Sequence, residues 1–134
     1  MKNFYHILFV DDDTFIRKVM RTILERNYEI TTCNNGVEAL AWLEEGHEPH
    51  LIVTDLTMPF VNGFDLIRQI RSSALFGHSP IIVLSTSDDS PTRIRCLEMG
   101  ADDFVVKPFN PLEVKAKIEA ILRRSNQSYT SLAS

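Results

Sequence analysis

The 134-residue sequence has no long hydrophobic segment. None of its apolar runs approaches the roughly 18 to 20 residues that are needed to cross a bilayer. Its first residues, MKNFYH, lack both the extended apolar region and the cleavage site of a signal peptide. We therefore expect a cytoplasmic domain that does not bind membranes.

Cysteine and glycine are also scarce. The two cysteines, Cys33 and Cys96, lie far apart in no metal-ligand spacing, so we interpret them as small buried side chains and not as a disulfide framework. The five glycines never cluster into a phosphate-binding loop. This absence argues against a nucleotide-binding or flavin-binding domain on a similar fold.

Basic residues are outnumbered, because 14 lysines and arginines stand against 18 aspartates and glutamates, for a formal net charge of -4. This balance argues against direct nucleic acid binding by the domain, so DNA would be bound only through a partner or a further domain. The histidines form no zinc pattern, since His47 and His50 are separated by Pro49 and cannot share a helix face.

What the sequence does contain is an alternation of two patterns. Short apolar runs without polar alternation occur at 7–10, 51–53, 81–84 and 104–106. Such runs are typical of strands covered on both faces of a parallel sheet. A fifth candidate strand, 28–33, mixes polar and apolar residues as an edge strand does. Segments with apolar residues at helical spacing, the first starting at Phe15, follow each run.

Capping residues mark the beginnings of the first and fourth helices. The first helix follows Asp13, which competes with Asp12 and Thr14 for the N-cap position. For the fourth helix we predict Ser90 as the N-cap and Pro91 as the first helical residue.

The last helix is predicted to follow an Asn110 cap, with Pro111 at its start and Glu113 in a capping box. We expect its inward face to carry Leu112, Ile118, Ile121 and Leu122. The polar segment that follows, SNQSYTSLAS, is expected to be a disordered tail or the start of a linker. The domain would then comprise residues 1–124, and the tail residues 125–134.

Five repeats of strand and helix predict a doubly wound α/β fold with helices on both faces of a parallel sheet. Ligands of such folds bind at the carboxyl ends of the strands. The polar residues that follow the apolar runs should therefore lie together at this edge. They are Asp11, Asp12, Asp55, Ser85, Thr86 and Lys107.

These side chains are chemically suited to phosphoryl transfer. Clustered carboxylates repel one another unless a cation lies among them, and their hard oxygens suit Mg²⁺. Lys107 and the Ser85 hydroxyl could each contact a phosphoryl oxygen. An aspartate carboxylate can act as a nucleophile toward phosphorus, and Asp55 stands alone at the end of its strand.

At these residues the sequence resembles the receiver domain of bacterial response regulators, the aspartate-phosphorylated half of two-component signalling. The resemblance is carried by LFVDDDTFIR, NNGVEAL, DLTMPFVNG, PIIVLSTS and GADDFVVKPF, in the order and spacing of that family. These motifs span residues 7–109. The family fold is flavodoxin-like, so the resemblance implies five parallel strands in the order 2-1-3-4-5 with five helices.

The resemblance also implies a role for each matched residue. Asp55 would be the phosphoacceptor and a metal ligand, Asp12 would bind Mg²⁺ directly, and Asp11 would bind it through water. The Thr57 backbone carbonyl would be a further ligand. Lys107 would pair with the phosphoryl group. The Ser85 hydroxyl would move toward that group, and Phe104 would turn inward in response. The Lys107-Pro108 bond would be cis.

For function, the resemblance implies a phosphorylation-activated switch and not an enzyme, although the domain would catalyse its own phosphorylation and slow dephosphorylation. The phosphodonor would be a histidine kinase or a histidine phosphotransfer protein. The output face would consist of the fourth helix, fifth strand and fifth helix, and it could form a homodimer. The segment FNPLEVKAKIEAILRR resembles receivers that are joined to winged-helix DNA-binding domains.

Two alternatives remain open at this level. A haloacid-dehalogenase-like phosphatase also uses a strand-end aspartate, but DDDTF places Phe15 where its motif has threonine or valine, and no substrate-covering insertion is visible. A phosphorylation-dead receiver used only for interaction would lack a site residue. Every required side chain is present here.

Overall fold

The computed structural model describes the backbone of residues 5–133 and the side chains of residues 5–125. The strands are β1 (His6–Val10), β2 (Glu29–Cys33), β3 (Leu51–Asp55), β4 (Ile81–Ser85) and β5 (Asp103–Val106). The helices are α1 (Thr14–Leu24), α2 (Gly36–Glu44), α3 (Gly63–Arg71), α4 (Ser90–Glu98) and α5 (Pro111–Ala133). None of the helices in this described part is long and apolar enough to span a membrane.

All neighbouring strands are parallel, and their order in the sheet is β2-β1-β3-β4-β5, as the resemblance implied. The central strands β3 and β4 are buried throughout. By contrast, β2 lies at an edge, and only Cys33 is fully buried in it. The absence of polar alternation therefore predicted two-sided burial correctly for the runs in β1, β3 and β4, whereas β5 lies at the other edge and only Val105 in it is buried.

The core consists of two layers, one on each face of the sheet. Leu8, Val10 and Ile52 point into the layer that contains buried residues of α2, α3 and α4. Ile7 and Phe9 point to the opposite face, into the layer formed with α1 and α5. Successive residues of β1 thus alternate between two cores, so its apolar residues 7–10 are all buried. Both cysteines are free and buried, as predicted.

The structure confirms two of the predicted caps and corrects the third. The Asp13 carboxylate caps α1 by accepting hydrogen bonds from the N–H groups of residues 15 and 16, and Asn110 caps α5 by accepting one from Leu112 N–H at 2.9 Å. The cap of α4 is Asp89 and not Ser90. An aspartate placed there reaches the N–H of the third helical residue, Thr92, at 2.8 Å, so Ser90 becomes the first helical residue.

Two apolar residues of the predicted helical patterns do not face inward. Leu112 is 62% exposed, and Val114 lies in the core instead, because residues four apart (114, 118 and 122) share the buried face of α5. Phe15 is 74% exposed, since it lies in the first turn of α1, ahead of the turns that bury Met20 and Leu24.

Most of the expected tail has helical backbone in the structure, and its role as a tail or as the start of a linker stays a prediction. Helix α5 continues from Pro111 to Ala133, so residues 125–133 have helical backbone and are not an irregular segment. No glycine or proline follows Pro111 in the sequence, so nothing in the residue order interrupts the helix. The side chains beyond Ser125 lie outside the described residues.

Candidate functional site at the carboxyl edge of the sheet

The ends of four strands bring the predicted site residues together. Asp55 and Ser85 are the last residues of the adjacent strands β3 and β4, while Asp11 and Lys107 directly follow β1 and β5. The Lys107 N–H donates to the Ser85 carbonyl at 2.7 Å, which holds the start of the β5–α5 loop beside the end of β4. Carboxylate oxygens of Asp11, Asp12 and Asp55 lie within 4.8 Å of one another.

Lys107 lies among these carboxylates. Its Nζ is 2.9 Å from Asp11 Oδ2 and 3.3 Å from Asp55 Oδ2, and only 13% of its side chain is exposed. Asp11 is fully buried, and Asp55 is nearly so. The lysine therefore supplies the positive charge that allows two buried carboxylates to lie close together at the carboxyl ends of the strands. Asp12, by contrast, is exposed and faces the same cluster from its rim.

The protonation of Asp55 reflects this crowded environment. Burial raises the pKa of Asp55 to about 6, and the nearby Asp11 charge acts in the same direction, while Lys107 partly opposes both. Burial alone would lower the pKa of Lys107, but its hydrogen bond and ion pair with Asp11, together with its contact to Asp55, raise it above the ordinary value. The ammonium group therefore remains charged, whereas the Asp55 carboxylate is ionised at a cost that a nearby cation would reduce.

The loop between β1 and α1 is held by Asp11 and Arg17. The Asp13 N–H donates to Asp11 Oδ1 at 2.9 Å, and Arg17 Nη1 donates to the Asp11 carbonyl at 2.6 Å. Arg17 also donates to the Thr14 hydroxyl at 3.1 Å. From the sequence, Arg17 was identified only as part of a motif, and this contact was missed. Its place one turn after the cap of α1 is the signal that could have revealed it.

The loop between β3 and α3 closes against the end of β3 because residue 63 is glycine. A Cβ atom at Gly63 would lie 2.7 Å from Leu56 Cα, and the Gly63 N–H donates to the Leu56 carbonyl at 2.7 Å. Phe60 in the same loop has a φ of 71°, in the left-handed region, and its side chain is 85% exposed. Close packing at Gly63 thus explains the glycine of DLTMPFVNG.

Thr57 and Ser85 border one cavity of about 380 Å³ between this loop and the start of α4. Ser85 is buried, and its Oγ accepts a hydrogen bond from the Ser87 N–H at 3.0 Å. Thr57 is exposed. Ligation by the Thr57 carbonyl and movement of the Ser85 hydroxyl stay predictions.

Phe104 lies in β5, partly buried against the core layer that contains α4. The guanidinium carbon of Arg93, from α4, is 5.5 Å from the centre of its ring. No sequence motif singled out Arg93. The inward turn of Phe104 stays a prediction, while the Lys107-Pro108 bond is cis, as the resemblance implied.

The donor set suits a hard divalent cation. Three carboxylates can offer oxygens to a common point, and exposed Asp12 leaves access from solvent. Hard oxygen donors with room for water are the ligands that Mg²⁺ prefers. The residues present at this edge therefore fit such an ion.

A doubly wound parallel sheet with an acidic cluster and a shared lysine at its carboxyl edge defines the receiver class of signalling domains. A family model described as the response regulator receiver domain matches residues 7–119. The chain belongs to this family.

Two relatives illustrate its range. The chain is 43% identical over 124 residues to the transcriptional regulatory protein ResD of Bacillus subtilis (strain 168), a match that covers 91% of this chain and 50% of ResD. It is 39% identical over 121 residues to the two-component response regulator ORR3 of Oryza sativa subsp. indica, with 89% and 92% covered. The chain therefore spans about half the length of relatives such as ResD, and most of ORR3.

Solved structures agree with this assignment. The receiver domain of the Francisella response regulator 1452 superposes with a TM-score of 0.83 at 30% identity, over 90% of this chain and 98% of that one. The chemotaxis response regulator CheY4 of Vibrio cholerae gives a TM-score of 0.82 at 28% identity, over 89% and 99%. Each of these solved chains is thus matched over nearly its whole length.

Proposed function

We propose that this chain is the phosphoacceptor domain of a two-component system, in which Asp55 receives a phosphoryl group from a histidine kinase or a histidine phosphotransfer protein. The observation that carries the proposal is the convergence of three carboxylates within 4.8 Å, with Lys107 Nζ 3.3 Å from Asp55. Such transfer needs positioning and charge neutralisation more than proton transfer. The cluster is built to supply both.

The chain's own residues divide the work. An Asp55 oxygen forms the new bond to phosphorus as the bond from phosphorus to the donor imidazole nitrogen breaks, and that nitrogen keeps the electron pair. Lys107 pairs with one phosphoryl oxygen, and the Ser85 hydroxyl donates a hydrogen bond to another. Mg²⁺, held by Asp12, by Asp55, by the Thr57 carbonyl and by Asp11 through water, would neutralise negative charge at the transferred group.

The acyl phosphate is later hydrolysed by water, so the domain acts once per signal and does not turn over external substrates. Movement of Ser85 toward the phosphoryl group opens space for Phe104, and this changes the face formed by α4, β5 and α5. That face would bind a partner or a second copy of the chain. Residues 1–124 form the receiver unit in this proposal, and the protein acts in the cytoplasm.

Labelling by a small phosphodonor tests the assignment. The protein incubated with Mg²⁺ and radiolabelled acetyl phosphate should acquire one labile phosphate, and the Asp55→Asn variant should acquire none. The matched control is Asp13→Asn, which removes a carboxylate next to the acidic cluster but keeps the cap of α1, since asparagine caps as well as aspartate. Equal labelling of Asp55→Asn and the parent would contradict the proposal.

A further inference from the structure

The loop between β4 and α4 contains a continuous hydrogen-bonded path that the proposed function does not use. It begins at Ser85, whose Oγ accepts the Ser87 N–H at 3.0 Å. The Ser87 hydroxyl in turn donates to the Asp89 carboxylate. Asp89 caps α4, and its Oδ1 accepts the Thr92 N–H at 2.8 Å. Three consecutive contacts thus join the end of β4 to the first turn of α4.

The charge on Asp89 strengthens the middle of this path. Hydrogen bonds from the Ser87 hydroxyl and from Thr92 lower the pKa of Asp89 to about 2, so its carboxylate is ionised at neutral pH. Hydrogen bonds to an ionised acceptor are stronger than those between neutral groups. Both oxygens of Asp89 are engaged, one toward Ser87 and the other toward Thr92.

Ser87 occupies the position where the path can be changed. Its N–H faces Ser85 and its hydroxyl faces Asp89, so one residue contacts both the site and the cap. It is only partly exposed, and its N–H needs an acceptor. If the Ser85 hydroxyl turns toward a phosphoryl group on Asp55, the Ser87 N–H loses the alignment of its acceptor, and the backbone of the loop must adjust.

We propose that Ser87 is a positioning residue that carries a displacement of Ser85 to Asp89 and hence to the amino end of α4. This path is separate from Phe104, which contacts α4 further along through Arg93. The inference rests on the proposed function, because it takes phosphorylation of Asp55 as the event that moves Ser85. It adds a second, hydrogen-bonded connection between the site and the output face.

Amide resonances of the intact chain report on each step of the path. Beryllofluoride with Mg²⁺ serves as the probe, because it mimics a phosphoryl group on a carboxylate. In the parent, the N–H resonances of Ser87 and Thr92 should both shift when the probe binds. In Ser87→Ala the N–H of residue 87 should still shift, while the Thr92 shift should be at least about threefold smaller, since the link to Asp89 is gone.

Two further variants separate this role from a general effect on the loop. Ser87→Thr keeps a hydroxyl group and should restore the Thr92 shift, whereas Ser90→Ala makes the same truncation in the first turn of α4 and should respond as the parent does. Among the described residues, Ser90 has no side-chain hydrogen bond. Loss of the basal Thr92 resonance is not expected, because its bond to Asp89 Oδ1 stays in place.

The outcomes distinguish the two proposals. A full Thr92 shift in Ser87→Ala, with a normal response around Asp55, would overturn the path and leave the proposed function intact. The same conclusion follows if Ser87→Thr fails to restore the shift. No response around Asp55 in the parent would contradict the proposed function and, with it, the event that drives the path.

Discussion

The two ends of the sheet handle buried charge in opposite ways. At the carboxyl edge, Asp11 and Asp55 share one lysine, and burial disfavours the ionised form of Asp55. At the amino end, Arg71 of α3 donates to the carbonyls of Gly77, Ser79 and Gly100 at 2.6 to 3.1 Å. The first arrangement gains from a further cation, whereas the second is satisfied by the chain itself.

A second set of contacts also satisfies polar groups at the amino end of the sheet. Arg71 also donates to Asp102 at 3.1 Å, and the same carboxylate oxygen accepts the Ile81 N–H at 2.8 Å. The arginine thus joins α3, the start of β4 and the turn before β5. Gly100, with a φ of 116°, lies so close that an added Cβ would be 2.8 Å from Arg71 Nε. The polar groups at the amino end are therefore satisfied within the chain, whereas the carboxyl edge keeps carboxylates that a cation could contact.

Breaking the amino end should have the largest effect on folding. Arg71→Ala leaves several partly buried carbonyls and the Asp102 carboxylate without their donor, so we expect the free energy of unfolding to fall by about 4 kcal/mol. Urea titration measures this loss. Arg68→Ala, on the same helix, removes only an exposed pair with Asp65 and should cost less than about 0.5 kcal/mol. Similar losses in the two variants would contradict the comparison.

Mutation of Asp55 at the carboxyl edge should raise the free energy of unfolding and not lower it. The pKa of Asp55 is raised from 3.8 to about 6, so its carboxyl group stabilises the metal-free fold below about pH 4. That contribution is lost as the pH rises through about 6. At pH 7 the metal-free Asp55→Asn variant should therefore be more stable than the parent, by about 3 kcal/mol at most.

Denaturant titrations of the parent and Asp55→Asn between pH 4 and pH 8 measure this difference. The difference in the free energy of unfolding between the two proteins should increase as the pH rises. Mg²⁺ should reduce this difference by stabilising the ionised parent. Asp13→Asn provides the control, because Asp13 is exposed and caps a helix. A stability difference that does not change with pH would show that burial of the Asp55 charge does not destabilise the fold.

The smallest expected effect concerns a cluster of rings near the amino end. Trp42, the single tryptophan, stacks on His47 with ring centres 4.3 Å apart and an interplanar angle of 6°. Ring contacts contribute about 0.5 to 1.5 kcal/mol beyond the area they bury, and His47 is exposed, so His47→Ala should lower the free energy of unfolding by about 0.5 kcal/mol. Urea titration measures this loss, and His78→Ala is the control because its ring has no such contact among the described residues. Equal stability of His47→Ala and the parent would show that the stack does not stabilise the fold.

The architecture and the site residues were predictable for one reason. Apolar runs identify strands covered on both faces, and parallel strands place their carboxyl ends at one edge. Asp11, Asp55, Ser85 and Lys107 could therefore be grouped across nearly the whole domain from their places at the ends of these runs. The order of the strands came from the resemblance and not from periodicity.

What could not be predicted depends on contacts with the backbone or on the phase of a helix. The partners of Arg71 are mostly carbonyl oxygens, which every residue carries, so no sequence pattern identifies them. Asp89 and Ser90 are both good caps, and only the position of the first helical turn decides between them. Leu112 is apolar but falls on the exposed side of α5, one turn ahead of the residues that repeat inward.

The ion pairs of Lys107 also determine which ions could compete for the site. An ammonium group tethered 2.9 Å from Asp11 has an effective local concentration far above that of dissolved monovalent salt. Sodium or potassium therefore gains little by approaching the same carboxylates, whereas a divalent ion brings twice the charge. We expect this lysine to weaken the binding of monovalent cations at the carboxyl edge.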